Sequence, residues 1–160
     1  MTSITLEQTL LQMLSGDSDS PMAIAIGCAA GTRTKDGAKT SNWSGEAADK
    51  QQIEKLKTEL LPQFIKVANR AGWLENKSKI LFAIACDVFV QSEPAAEIFL
   101  DQIFQHREFV VDQQWLIEWR CKGYVNPATK KLDAPGFANN LRRLRVDQSR
   151  RTLAILGAIA

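Results

Sequence analysis

A mainly α domain with one small β-hairpin is the fold class this sequence predicts, on three observations. Apolar residues recur at spacings of three and four through most of the chain. Helix start and stop signals bracket those stretches. One polar segment, at about 31–45, breaks the pattern around an Asp-Gly pair. With 160 residues, 45% of them apolar, the chain is long enough for one core and short for two. Residues 1–160 are therefore expected to form a single compact, multi-helix domain with the ribbon as an insertion.

The elements follow in order. Leu6, Leu10, Leu11, Met13 and Leu14 share a helical face, Thr5 with Gln8 forms a capping-box pattern, and Gly16 is a stop. Asp17 to Ser20 reads as a loop. Ser20-Pro21 then supplies an N-cap and a proline at the first helical position. Met22 to Ala30 is apolar on every side, which suits a buried helix or a buried strand; the Ser-Pro start and the alanines favour a helix ending at Gly31. In Thr32 to Thr40, Asp36-Gly37 sits between Thr/Lys-rich arms, the pattern of a type I′ hairpin, with an ordinary polar loop as the alternative. An isolated hairpin is marginal in water, so helices must support it.

Ala47 to about Ala71 carries Ile53, Leu56, Leu60, Phe64, Val67 and Ala68 at helical spacing. Pro62 should kink or split that helix and Gly72 end it. Asn76 is the expected cap of a buried helix holding Ile80, Leu81, Ile84, Val88 and Phe89. Ser92 and Pro94 mark another start, before Ile98, Phe99, Ile103 and Phe104. Asp112 to Cys121 carries Trp115, Leu116 and Trp119; Gly123 to Gly136 is a loop with Pro127 and Pro135; the last helix runs from about Asn139, with Leu141, Leu144, Leu153 and Ile155.

Composition excludes several classes. Lys plus Arg is 20 and Asp plus Glu is 18, a net charge of +2, which is neither a supercharged nucleic-acid tail nor an acidic disordered chain. No apolar run is long enough to span a bilayer, and Met1 to Thr5 lacks the start of a signal peptide. Cys28, Cys86 and Cys121 are an odd, sparse set, so reduced thiols and a cytoplasmic location are expected. The near-neutral total hides a segregation. Residues 81–119 carry seven acidic side chains and one basic, whereas residues 120–160 carry nine basic and two acidic. Either the two segments pack together and neutralise each other, or the basic end meets an anionic partner. Arg142, Arg143, Arg145, Arg150 and Arg151 all lie on the final helix, at spacings that do not put them on one narrow face.

Chemical motifs are scarce. His106 is the only histidine, the cysteines have no CxxC spacing, and no phosphate-binding or nucleophile-elbow motif occurs, so no metal and no cofactor are expected. A Cys–His dyad through His106 has nothing local to activate a thiol. Trp73, Trp115 and Trp119 read as core, and Trp43, at the exit of the ribbon, as a surface binder.

Two stretches resemble a family of small uncharacterised cyanobacterial proteins. One is Ala29 to Thr40, with the pattern GTR…DG…T. The other is Arg120 to Ala158, chiefly Gly123-Tyr124-Val125-Asn126-Pro127, Asp133-Ala134-Pro135-Gly136 and Arg145 to Arg151. Ala47 to Gln52 resembles that family's helix after the ribbon. More loosely, a buried helix ending in Gly-Thr before a small ribbon is similar to phage-type lysozymes and lytic transglycosylases. In those, the resemblance implies, a Glu at the helix end protonates the glycosidic oxygen. That position falls on Ala30, beside Ala29, and a general acid is worth about 10²–10⁴ in rate. Asp36 and Glu46 are the nearest acids, the only catalytic candidates, and a turn residue and a helix-start charge explain them equally well.

The resulting expectation is a non-catalytic, degenerate lysozyme-like domain that acts as a binding or assembly module. Its candidate surfaces are the ribbon (Thr32, Arg33, Lys35, Lys39, Trp43) and the five arginines of the last helix. An unknown protein is the expected partner, with a glycan or nucleic acid as others and no membrane. The alternatives are a peptidoglycan glycosidase and a small helical subunit of a nucleic-acid-associated phage or defence complex.

Overall fold

The run 22–30, apolar on all sides, folds as a helix, α2 (Pro21–Ala30), in a computed structural model that describes residues 5–105 and 112–159. Ser20 caps it by accepting from the Ala23 N–H, and Gly31 closes it in the left-handed conformation (φ 77°). A helix satisfies its backbone internally and can be buried on every face, which a lone strand cannot. Before it, α1 (Leu6–Met13) carries the expected capping box between Thr5 and Gln8, and a 3₁₀ turn (Asp17–Asp19) leads into Ser20.

The hairpin is where expectation and structure part. Among the described residues there is no β-strand; residues 31–45 form a loop with one isolated antiparallel bridge, Arg33 to Lys39. A second bridge joins Val125 to Leu132. The Asp36-Gly37 turn forms, with Gly37 at φ 87° and its N–H on the Thr34 carbonyl. The arms beyond it are polar and bury too little to extend a ladder, so the ribbon stops at one pair.

The long helix 46–71 is interrupted before its proline. α3 (Glu46–Lys55) passes into a π turn (Leu56–Leu60) and then α4 (Leu61–Ala71). The Leu61 N–H reaches the Leu56 carbonyl, five residues back. The widened turn relieves the helix where Pro62 has no N–H to donate and its ring presses on the preceding turn. α4 ends at Gly72, as expected. α5 (Glu75–Gln91) starts earlier than expected. Its N-cap is Leu74, without a side-chain cap, and Asn76 lies inside it.

From Leu81 to Phe89 every residue of α5 is buried, Asp87 included, so this helix is wrapped on all sides. It packs against α6 (Glu93–Gln105), α8 (Leu141–Ile159), α2 and α1. Ser92 caps α6 through the Ala95 N–H, and Asp112 caps α7 (Gln113–Lys122) through the Trp115 N–H. α7 ends tight against α6: a Cβ on Gly123 would lie 2.8 Å from the Ala95 carbonyl oxygen. A 3₁₀ turn (Pro135–Phe137) precedes α8, whose first turn is capped by the Asn140 side chain. All eight α-helices of the described residues contribute to one buried cluster, in which Phe64 packs on Trp73 and Phe82 at centroid distances of 6.1 and 5.2 Å. Trp73 is core as expected; Trp115 and Trp119 are only half-buried and pair with each other at 5.9 Å. No described helix is long and apolar enough to cross a membrane.

Candidate functional site

The loop 31–45 is a pinned structural segment more than an open cleft. Arg33 is only 5% exposed. Its guanidinium donates to the Ser18 and Gly37 carbonyls and to Asp49 at 3.2 Å. Asp49, on α3, also accepts from Ser18 Oγ at 2.9 Å and from Trp43 Nε1 at 3.0 Å. α2 makes room for this staple with Gly27, where a Cβ would lie 2.7 Å from Arg33 Cδ. Thr32 bonds the Gly27 carbonyl through its hydroxyl. Of the five expected ribbon binders, Arg33 is thus internal, and Thr32 and Trp43 are half-buried and engaged. Lys39 lies over the Trp43 ring at 4.2 Å, and Lys35 stands in solvent.

The catalytic candidates do not come together. Asp36 is exposed at the turn and Glu46 is exposed as the first residue of α3. Ala30 is exposed at the end of α2, and Arg150 donates to the neighbouring Ala29 carbonyl at 2.8 Å. A cation therefore sits at the negative end of the α2 dipole, where the resemblance expects an acid. Among the described residues no group of three His, Cys, Asp or Glu could hold a metal ion. His106 lies outside the described residues. Burial pushes the Cys28 thiol up despite the neighbouring Arg33 guanidinium, and burial also pushes up Cys86 and Cys121. Guanidiniums act on Cys28 (Arg33) and on Cys121 (Arg145 and Arg120), but burial outweighs them, so neither thiol is lowered as a nucleophile requires.

A buried charge centre ties α5, α7 and α8 together. Arg120 is fully buried and donates to Asp87 (2.6 Å), Gln148 (2.9 Å), Gln91 (3.1 Å) and Thr152 (3.3 Å). Arg151 grips the same carboxylate with two bonds, at 2.6 and 3.0 Å. Burial drives the Asp87 carboxyl up, and the Arg120 and Arg151 guanidiniums outweigh it, leaving Asp87 below its ordinary range. Tyr124 lies nearby, its hydroxyl buried without a hydrogen-bond partner among the described residues and pushed up to about 12 by burial. Spacing alone does not reveal this centre, because its members come from three separate helices. The segregation of charge is the one signal that points to it.

The same geometry sorts the five arginines of α8. Arg151 faces the core, Arg145 pairs with Glu118 of α7 at 3.1 Å, and Arg150 pairs with Asp147 and reaches α2. The Arg145–Glu118 and Arg151–Asp87 pairs neutralise the acidic middle against the basic end. Arg142 and Arg143 remain exposed, with no ion-pair partner among the described residues. On the outer face with Arg143 lie Val146, 64% exposed, and Leu153, 51% exposed, and Leu141 is exposed at the helix start. Leu144, Gln148, Arg151 and Ile155 form the opposite, buried face. The chain matches no family model, no curated protein and no solved structure.

Proposed function

We propose that this chain is a non-catalytic binding module that docks a partner on the outer face of α8. The observation that carries the proposal is the combination on that face. Two exposed arginines with no ion-pair partner among the described residues share an exposed face with Val146 and Leu153, on a helix whose other face is packed. Covering either aliphatic side chain returns on the order of 1 kcal/mol, and the arginines supply direction and on-rate toward an acidic surface. A degenerate lysozyme-like relation rests on the resemblance of Ala29 to Thr40. The alanine at position 30 and the separate, exposed Asp36 and Glu46 support a role without glycosidic chemistry.

The test is quantitative capture from cells that make the protein, with wild type against Arg142→Glu/Arg143→Glu and against Val146→Ser. The expected result is a defined partner whose yield falls at least about tenfold with the charge reversal and measurably with V146S. Equal capture by all three removes α8 as the docking surface. Clearing of peptidoglycan by the purified wild type overturns the non-catalytic reading.

A further inference from the structure

We infer that the partner on α8 is a second copy of this chain, which presents the acidic outer face of its α6. This rests on α8 being the docking surface and specifies what it takes. On α6, Glu93, Glu97 and Asp101 are exposed at successive turns, which puts a row of three carboxylates on one face. Glu93 is paired with Lys55; Glu97 and Asp101 have no ion-pair partner among the described residues. Beside the row runs a groove of about 350 Å³, lined by Pro94, Ile98, Tyr124, Pro127 and Pro135, with exposed Asp133 at its margin. The acidic row with an apolar slot is the complement of α8, where Arg142 and Arg143 at the helix start are followed on the same exposed face by Val146 and Leu153.

One copy cannot satisfy itself in this way. α6 and α8 each pack on α5 and on α7, so those two helices stand between the acidic and the basic face. A two-fold pair solves the problem: α8 of each copy lies on α6 of the other, the contact is made twice, and the assembly closes. Val146 and Leu153 serve as apolar anchors toward the proline-lined groove, while the charges set the register. A nucleic-acid backbone matches the arginines but offers nothing to Val146 and Leu153 on the same face.

Sedimentation velocity of the full chain tests this, at up to about 100 µM protein, in about 50 mM and about 500 mM salt. Wild type is expected to dimerise at low salt and dissociate at high salt. Arg142→Glu/Arg143→Glu and Glu97→Lys/Asp101→Lys should each weaken dimerisation by about a hundredfold, with helical circular dichroism unchanged. Mixing the two variants should restore a dimer, because each then offers the complement of the other. A wild type that stays monomeric at low salt, a dimer indifferent to both reversals, or a mixture that stays monomeric overturns the inference. If it fails while Arg142→Glu/Arg143→Glu still abolishes partner capture, α8 docks another protein; if capture also survives, the docking surface itself is refuted.

Discussion

Replacing Asp87 by Asn tests the physical account of the core most directly. Asp87 is fully buried and, among the described residues, is the only carboxylate that bonds the Arg120 and Arg151 guanidiniums directly. The amide keeps the shape and one acceptor oxygen but removes the charge, leaving two buried cations with no direct counter-charge. Breaking a buried pair from one side costs about 3–5 kcal/mol, a large share of the roughly 5–15 kcal/mol that holds a domain of this size together. The companion variant, Asp87→Leu/Arg120→Met/Arg151→Met, removes all three charges at once. Gln148, Gln91 and Asp147 still bond one another in it, so it should fall within a few kcal/mol of wild type and be more stable than D87N. Urea denaturation at neutral pH separates these outcomes. The pH dependence follows the same charge. Asp87 titrates lower in the fold than in the open chain, so the unfolded state takes up its proton first as pH falls. Its contribution is complete above about pH 4 and is lost below it, and D87N should flatten that limb of the stability curve. A loss below about 1 kcal/mol for D87N, or an unchanged acid limb, refutes the reasoning.

Three further outcomes follow from single contacts. Tyr124→Phe should be neutral or slightly stabilising in thermal melts, because its buried hydroxyl has no partner among the described residues to lose. Gly27→Ala should push Arg33 off α2, where the new Cβ would come within 2.7 Å of Cδ, and limited proteolysis should then cut faster within 31–45. Asp36→Ala and Glu46→Ala should each shift stability by less than about 0.5 kcal/mol, since both residues are exposed, and a turbidity assay should find no peptidoglycan hydrolysis to lose.

Much of the helical order was legible residue by residue. Thr5 with Gln8, Ser20-Pro21 and Ser92 act as the caps they resemble, and Gly31 and Gly72 end their helices. These are local devices, decided within one turn. Asn76 misled, because a good capping residue does not cap when packing starts the helix earlier. The Thr/Lys arms around Asp36-Gly37 misled in a different way: a turn signal forms a turn, but a ladder needs a surface to lie on. Of the candidate site, the five arginines of α8 were legible as a concentration of charge but not which of them pair, and Arg33 and Trp43 looked like binders and are parts of the Asp49 staple.

The sequence by itself determined the helix starts and stops, the apolar faces and the segregation of charge, because these depend on neighbours a few residues apart. Only the tertiary structure decided which charges disappear into the core and which stay outside. Arg151 and Arg142 are both arginines of one helix. The first grips Asp87, 64 positions away in the chain, and the second is exposed to solvent. Coulomb attraction and burial act through space, so that difference depends on how α5, α7 and α8 pack, which no local pattern encodes.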